Sequence, residues 1–297
     1  MAYAPDAKSG PPATLTSVPY AVSLTAIAGG ESASNNGIAK LPLHVTLDRI
    51  RPHDHEAVRQ LLNFEIDGGR TYPFEGSFKT IDTFAGYYLS HECFVLRRDD
   101  GGAPLHADLT ASYCWSTDVA ASVAAPTKPV ESTVYNFGRS VIGAFYVKPN
   151  WPGRSGHVCN GGFLVVPHYR GLGVGNLLGE RFLFLAKELG YRRSMFNLVY
   201  ASNVPSVKIW QRLGYEQHGR VKGAARIRRE VGPVPAASRS ADPYHWVHPH
   251  VVHGRDVEYV DALQFTYDLS TVALPSPPTS DGPYWKSRSS SSLRSKL

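Results

Sequence analysis

Sulfur is scarce in this chain: three cysteines (Cys93, Cys114, Cys159) and two methionines among 297 residues. Three scattered thiols make neither a disulfide framework nor a paired-cysteine metal knuckle, so a reducing compartment and no metal site are expected. Long apolar runs are missing as well. The stretch from Val18 to Gly30 is short, is broken by Pro19, Ser23 and Thr25, and follows no basic segment, which argues against a signal core and against a membrane span. The start is also poor in arginine, which disfavours a mitochondrial presequence and leaves the cytoplasm as the expected location. No charge of one sign dominates: Lys+Arg 31 against Asp+Glu 25 leaves +6, and only clustered charge creates a field that recruits polyanions. What is present, 42% hydrophobic residues with 19% charged, is enough for one large domain or two small ones with a real core. Gly 27 and Pro 22 follow no strict period, which excludes collagen-like and low-complexity readings.

Residues 1–38 are rich in Ala, Ser, Gly, Pro and Thr and read as a flexible arm, as do 272–297, where Pro275, Pro277 and Pro278 precede a Ser/Arg/Lys run. The ordered unit is expected at 39–271, with 225–254 an irregular Pro-, His- and Arg-rich insertion before a last strand at 259–269. Val141–Val147 reads as a strand stopped by Lys148, Pro149 and Asn150, and 161–166 as a second, with glycines at its start. Leu178, Phe182, Leu185 and Leu189 recur at helical spacing with Gly190 as the stop. Residues 194–200 and 215–221 read as further strands, separated by a helix that starts at Asn203 and Pro205 and ends at Gly214. Val58–Ile66 reads as a helix and Phe94–Arg97 as a short strand. Strands alternating with helices predict an α/β or α+β domain.

The most informative segment is Arg170-Gly171-Leu172-Gly173-Val174-Gly175, a glycine turn between a strand and a helix. Unpaired N–H groups and the positive end of the helix dipole converge there on an anion, and glycines let the backbone approach a pyrophosphate. A Walker loop would end in Gly-Lys-Ser/Thr, but Asn176 and Leu177 follow Gly175. A dinucleotide fingerprint would need a wider last glycine gap and an acidic residue ending the next strand, and neither is present.

Arg170, Gly173 and Gly175 match the R/Q-x-x-G-x-G/A loop of the GNAT acetyltransferase superfamily, and Asn203, Ser206, Leu213, Gly214 and Tyr215 resemble its asparagine-led helix and glycine-aromatic ending. The strings from Asn63 to Pro73, Phe145 to Asn150, Cys159 to Val165 and Phe196 to Val199 narrow the resemblance to fungal N-acetyltransferases that detoxify the proline analogue L-azetidine-2-carboxylate. It is dense over 142–223, forms an island at 63–73, and leaves out both arms and the 225–254 insertion. The resemblance implies a mixed, largely antiparallel sheet flanked by helices and splayed between strands 161–166 and 194–200, with acetyl-CoA as cosubstrate, a small-molecule amine acceptor and a homodimer. Val165 and Val166 would then border the pantetheine, and Arg170, Gly171, Leu172, Gly173, Val174 and Gly175 would hold the pyrophosphate.

Direct acyl transfer from a thioester to an amine needs a neutral lone pair, a polarised carbonyl and a proton for the thiolate, with no covalent enzyme intermediate. Asn160 and Asn197 are the expected catalytic and substrate-binding carboxamides, holding the carboxylate and orienting the ring nitrogen of a small imino acid; Phe163, Glu65 and Tyr72 complete the expected acceptor site. Phe64 and Phe74 are further candidates for its apolar wall, set against core packing for each. Asn203 is divided between helix cap and cofactor contact. Trp210 stands where many GNAT members carry a general-acid tyrosine, and an indole cannot serve as that acid. Glu65, His157 and Cys159 are candidate bases, each weighed against a structural role. The competing readings are a GNAT enzyme for a polyamine, peptide N-terminus or protein lysine, and a noncatalytic acyl-CoA- or nucleic-acid-binding protein. The first would want an acidic cleft. The second draws on Arg212, Arg220, Lys222, Arg226, Arg228 and Arg229 but lacks a base-stacking platform.

Overall fold

The computed structural model describes residues 18–27, 38–98, 134–228, 245–247 and 257–273. Eight of its ten strands form one sheet: β1 (Val18–Ile27), β2 (Ile38–Arg49), β3 (Glu92–Arg98), β5 (Val141–Pro149), β6 (Val158–Val165), β7 (Arg193–Tyr200), β8 (Glu216–Arg228) and β10 (Val257–Asp268). Their spatial order is β1-β2-β3-β5-β6-β7-β10-β8. Every neighbouring pair is antiparallel except β6 and β7, which run parallel. Two short strands, β4 (Val134–Asn136) and β9 (His245–Val247), pair separately.

Among the described residues, four α-helices cover the sheet: α1 (His55–Gly68), α2 (Ile81–Tyr88), α3 (Val174–Glu188) and α4 (Val204–Arg212). Each stops where the sequence withdraws support. Helix α1 turns out through Gly69 at φ 64°, and Gly190 at φ 88° follows the last turn of α3. Asn203 caps α4 by accepting from the Ser206 N–H at 3.3 Å, and Gly214 at φ 83° ends it. Phe182 of α3 packs on Phe145, Phe163 and Phe196 of the sheet, and Trp210 of α4 joins them at 4.9 Å from Phe163 and 4.4 Å from Phe196. On the opposite face, Tyr88 of α2 meets Tyr146 of β5 at 5.0 Å, ring to ring. The core therefore has two halves, one on each face of β5 and β6.

Two expectations about organisation change. Val18–Ile27, within the expected arm, is a strand hydrogen-bonded along β2; Val18, Tyr20, Val22 and Leu24 alternate with Pro19, Ala21, Ser23 and Thr25, the period of a strand rather than of a linker. The expected insertion at 225–254 begins as sheet: β8 continues to Arg228 along β10, and Asp261 holds the Gly223 N–H at 2.9 Å. His245–Val247 form β9. Residues 1–17, 28–37, 229–244, 248–256 and 274–297, including most of both arms and of that insertion, lie outside the described residues.

Candidate active site

Strands β6 and β7 pair only at Val158 with Arg193 and Cys159 with Ser194. Beyond those two positions the strands part. The direction of the backbone groups facing the gap follows from the other side of β6. The Val166 N–H donates to Ile142 and the Val158 carbonyl accepts from Asn150, so even-numbered residues address β5. Gly161, Phe163 and Val165 consequently turn their N–H and C=O groups into the gap. Of the two valines expected beside a pantetheine arm, Val165 turns its backbone groups toward the gap. Val166 turns the other way: its amide donates to the Ile142 carbonyl at 2.9 Å and its side chain is buried in the core.

At the far end of β6 the chain turns through Pro167–Tyr169 into the glycine segment. Gly171 (φ 76°) and Gly173 (φ 87°) both adopt the left-handed conformation, and a Cβ on Gly173 would meet nothing within 4 Å. Gly173 is the N-cap of α3 and has no side chain to bond the first-turn amides, which stay directed outward. Arg170, Gly171 and Gly173 are exposed, whereas the Val174 side chain is buried and offers only its backbone. A Cβ on Gly175 would come within 2.8 Å of the Ile209 Cδ1, so that methyl would have to shift to admit it. This open cradle fits a diphosphate through amides and the helix dipole.

The arginine of the segment does something the sequence did not suggest. Its guanidinium pairs with the Glu65 carboxylate at the end of α1 and donates through Nε to the Val165 carbonyl at 3.0 Å, while Thr71 donates to the other Glu65 oxygen at 2.7 Å. Expected cofactor and acceptor residues are thereby tied together, and Glu65 has no free oxygen with which to act as a base. Exchanging Glu65 for Gln should keep kcat within about tenfold, where loss of a true general base costs about 10²–10⁴. The effect should instead appear as a raised KM for acetyl-CoA, measured by steady-state kinetics at saturating acceptor.

The two asparagines do not meet. Asn160 lies at the first unpaired position of β6, half-buried, and its carboxamide has no hydrogen-bond partner among the described residues. Asn197 makes a reciprocal amide pair with Asn150, which follows β5: the Asn150 amide donates to Asn197 Oδ1 at 3.2 Å, and the Asn197 amide donates back. Each carboxamide keeps a second N–H and a second lone pair for a ligand. The Phe163 ring belongs to the aromatic cluster beneath α3 and α4, on the face away from Tyr146. Tyr72 reaches β6 from the α1–α2 connection, its hydroxyl donating to the Phe163 carbonyl at 3.5 Å. Phe74 packs at 4.7 Å on Tyr87, whereas Phe64 is buried against Tyr135 and Phe137.

The face of the sheet that carries Asn160 also carries residues that sequence reasoning missed. Lys148 is the cross-strand partner of Asn160, and opposed residues of an antiparallel pair share a face. Its ammonium lies 4.0 Å from the centre of the Tyr87 ring and 4.2 Å from that of Tyr146. The Tyr87 and Tyr146 hydroxyls are 3.2 Å apart, and Tyr88 donates to the Gly162 carbonyl at 3.3 Å. Burial raises the pKa of all three phenols and of Tyr72, which keeps them protonated as hydrogen-bond donors. The available signal was period two within Phe145–Asn150: Tyr146, Lys148 and Asn150 fall on one face. The paired glycines of β6 follow from rings on both sides, since a Cβ on Gly161 would strike Phe182 at 2.5 Å and one on Gly162 would strike Tyr146 at 2.5 Å.

The remaining candidates take structural places. Burial pushes the Cys159 thiol up to about 12, so it is neutral, and the exposed His157 ring lies with Nδ1 3.2 Å from the Arg154 carbonyl. Asn203 serves as the α4 cap. The Trp210 indole donates to Ser206 Oγ at 3.0 Å. The basic cluster is partly neutralised from within: Arg220 pairs with Asp261, Arg226 with Glu75, and Arg228 donates to the Asp67 carbonyl at 2.7 Å. Among the described residues there is no group of three or more His, Cys, Asp or Glu side chains able to hold a metal, and no helix long and apolar enough to cross a membrane.

Residues 90–215 match the model of the acetyltransferase (GNAT) family. The chain is 35% identical over 177 residues to N-acetyltransferase aca1 of Schizosaccharomyces pombe, which covers 59% of this chain and 73% of that protein. It is 27% identical over 183 residues to Protein SPT10 of Saccharomyces cerevisiae, covering 58% of this chain but 28% of the longer protein. A solved phosphinothricin acetyltransferase from Sinorhizobium meliloti, in complex with acetyl-CoA, superposes with a TM-score of 0.49 at 13% identity, over 82% of this chain and 99% of that one. Membership rests on the family model and the fission-yeast relative, with which the glycine cradle and the parted strands agree. The chain belongs to the GNAT family and is an acetyl-CoA-dependent N-acetyltransferase.

Proposed function

We propose that the acceptor is a small cyclic secondary amino acid, azetidine-2-carboxylate, cis-4-hydroxyproline or a related proline analogue, and that N-acetylation detoxifies it in the cytoplasm, in a homodimer. The observation that carries this reading is the chemistry of the face beside the β6–β7 gap: carboxamides at Asn160 and Asn197, protonated phenols at Tyr72, Tyr87 and Tyr146, one lysine, and among these groups no carboxylate. Such a face suits a compact zwitterion with an apolar ring. A polyamine or a lysine side chain would need acidic partners, and the nearby Glu65 is already bonded to Arg170 and Thr71.

The first-turn amides of α3, with Gly171 and Gly173, would hold the diphosphate of acetyl-CoA, and the gap-facing groups of Gly161, Phe163 and Val165 would hold its pantetheine arm. When bound, the cosubstrate supplies an activated acetyl group. The chain's own residues bring the amine to it: Asn160, whose carboxamide has no partner among the described residues, can accept the ring N–H and orient the nitrogen lone pair, while Asn197 keeps one N–H for the acceptor although Asn150 holds the other. Direct transfer in a ternary complex then needs no nucleophile from the protein, which agrees with the neutral state of Cys159. Purified protein with acetyl-CoA and either named imino acid should release free thiol in a continuous colour assay. Turnover of a polyamine or a lysyl peptide with no turnover of either imino acid would remove this reading.

A further inference from the structure

We propose that Lys148 is the carboxylate anchor of the acceptor site, the ammonium that makes this enzyme select amines bearing a carboxylate. This rests on the amino-acid reading above only in requiring that anion; the ring is not needed for it.

Lys148 is held where a binding group would be and lacks what a structural lysine normally has. Its stem rises from β5 directly opposite Asn160, on the face that also bears Tyr146 and the Asn150–Asn197 pair. Two aromatic rings, Tyr87 of α2 and Tyr146 of β5, fix the ammonium from two elements at 4.0 and 4.2 Å. Among the described residues no carboxylate comes within 4.0 Å of it, although other lysines and arginines of the domain do find polar partners: Lys187 donates to two carbonyls, and Arg193 pairs with Asp268. The titratable neighbours are Tyr87 and Tyr146, both kept neutral by burial, and His91, whose pKa is lowered by burial and by the Lys148 charge itself.

A half-buried cation set on two phenol rings, with no carboxylate within 4.0 Å among the described residues, is a site prepared for an anion brought from outside. Burial lowers its pKa to about 8, so at neutral pH it is mostly charged yet under-solvated, and an incoming carboxylate relieves that condition. The Tyr87 and Tyr146 hydroxyls, 3.2 Å apart on the two rings that hold the ammonium, and the carboxamide of Asn160, the cross-strand partner of Lys148, are the groups this face offers to the carboxylate's remaining hydrogen bonds. Bound this way, the acceptor is pinned at its acid end while its nitrogen is free to point toward the parted strands.

The test compares acids with their primary carboxamides as acceptors, for azetidine-2-carboxylate, proline, alanine and glycine, on full-length wild type, Lys148→Met and Lys148→Arg. A charge-assisted contact predicts that wild type prefers the acid by about 10- to 100-fold in kcat/KM. In Lys148→Met that preference should shrink to within about threefold through loss on the acid alone, while Lys148→Arg keeps at least part of it. Equal loss on acid and amide in the Met variant would overturn the proposal in favour of a structural or proton-transfer role. So would a wild type that does not distinguish them, a result obtained without any variant and therefore independent of its folding. Preference for linear acids over ring-bearing ones, with the acid-over-amide preference still abolished in Lys148→Met, would sink the cyclic-acceptor reading while leaving the anchor in place.

Discussion

Calorimetric titration of Gly173→Glu with acetyl-CoA should give binding at least about 100-fold weaker than wild type, because the new carboxylate stands at the helix N-terminus, in the place proposed for the diphosphate. The site makes this variant informative. A Cβ at 173 meets no atom within 4 Å, so the change does not damage packing, and the loss reports on ligand charge. The φ of 87° carries a separate cost, about 1–2 kcal/mol for an L side chain in left-handed backbone. Gly173→Ala measures that cost alone and should weaken binding by no more than about tenfold, since part of the strain appears in stability rather than in affinity. Equal losses in Ala and Glu would mean that backbone shape matters there and charge does not.

Phe182→Ala should be the most destabilising single change in the domain, by about 3–5 kcal/mol in denaturant unfolding. Its fully buried ring contacts Phe145 at 6.0 Å, Phe163 at 5.2 Å and Phe196 at 5.6 Å between centroids, and lies against the bare Cα of Gly161. The backbone of β6 is held by its ladder with β5, and moving it into the vacated space would strip Gly162 of its contact with Tyr146. The cavity would lie under the open edge that faces β7, so acetyl-CoA binding should weaken together with stability. A loss below about 1 kcal/mol would mean that neighbouring rings refill the site, and would contradict the account of why β6 carries two glycines.

Much of the domain was legible because its signals are local. Leu178, Phe182, Leu185 and Leu189 with Gly190 define α3 whatever surrounds it, and Asn203 with Pro205 starts α4 for reasons of capping alone. The glycine turn was legible for the same reason, since left-handed backbone before a helix leaves few residue choices. Features that depend on distant strands were not. The partner of Asn197 is Asn150, 47 positions away, brought there by β6 lying between β5 and β7; no periodicity announces that pair. The commitment of Glu65 to Arg170 likewise joins the end of α1 to the glycine segment across 105 positions. Lys148 was hidden by a different cause. Lys-Pro-Asn reads as the end of a strand, and it is one, but period two continues through it and sets the lysine between tyrosines. The strand at Val18–Ile27 was obscured by small and polar residues on its alternate positions, and the extension of β8 by the basic residues it carries.

The account depends above all on the parting of β6 from β7 beyond Cys159 and Ser194. A crystal structure with acetyl-CoA tests it most directly. The pantetheine should run between the two strands, bonded to backbone groups of Gly161, Phe163 or Val165, with the diphosphate over Gly171, Gly173 and the first turn of α3. Strands joined by a continuous ladder, with the cofactor bound elsewhere on the domain, would contradict it.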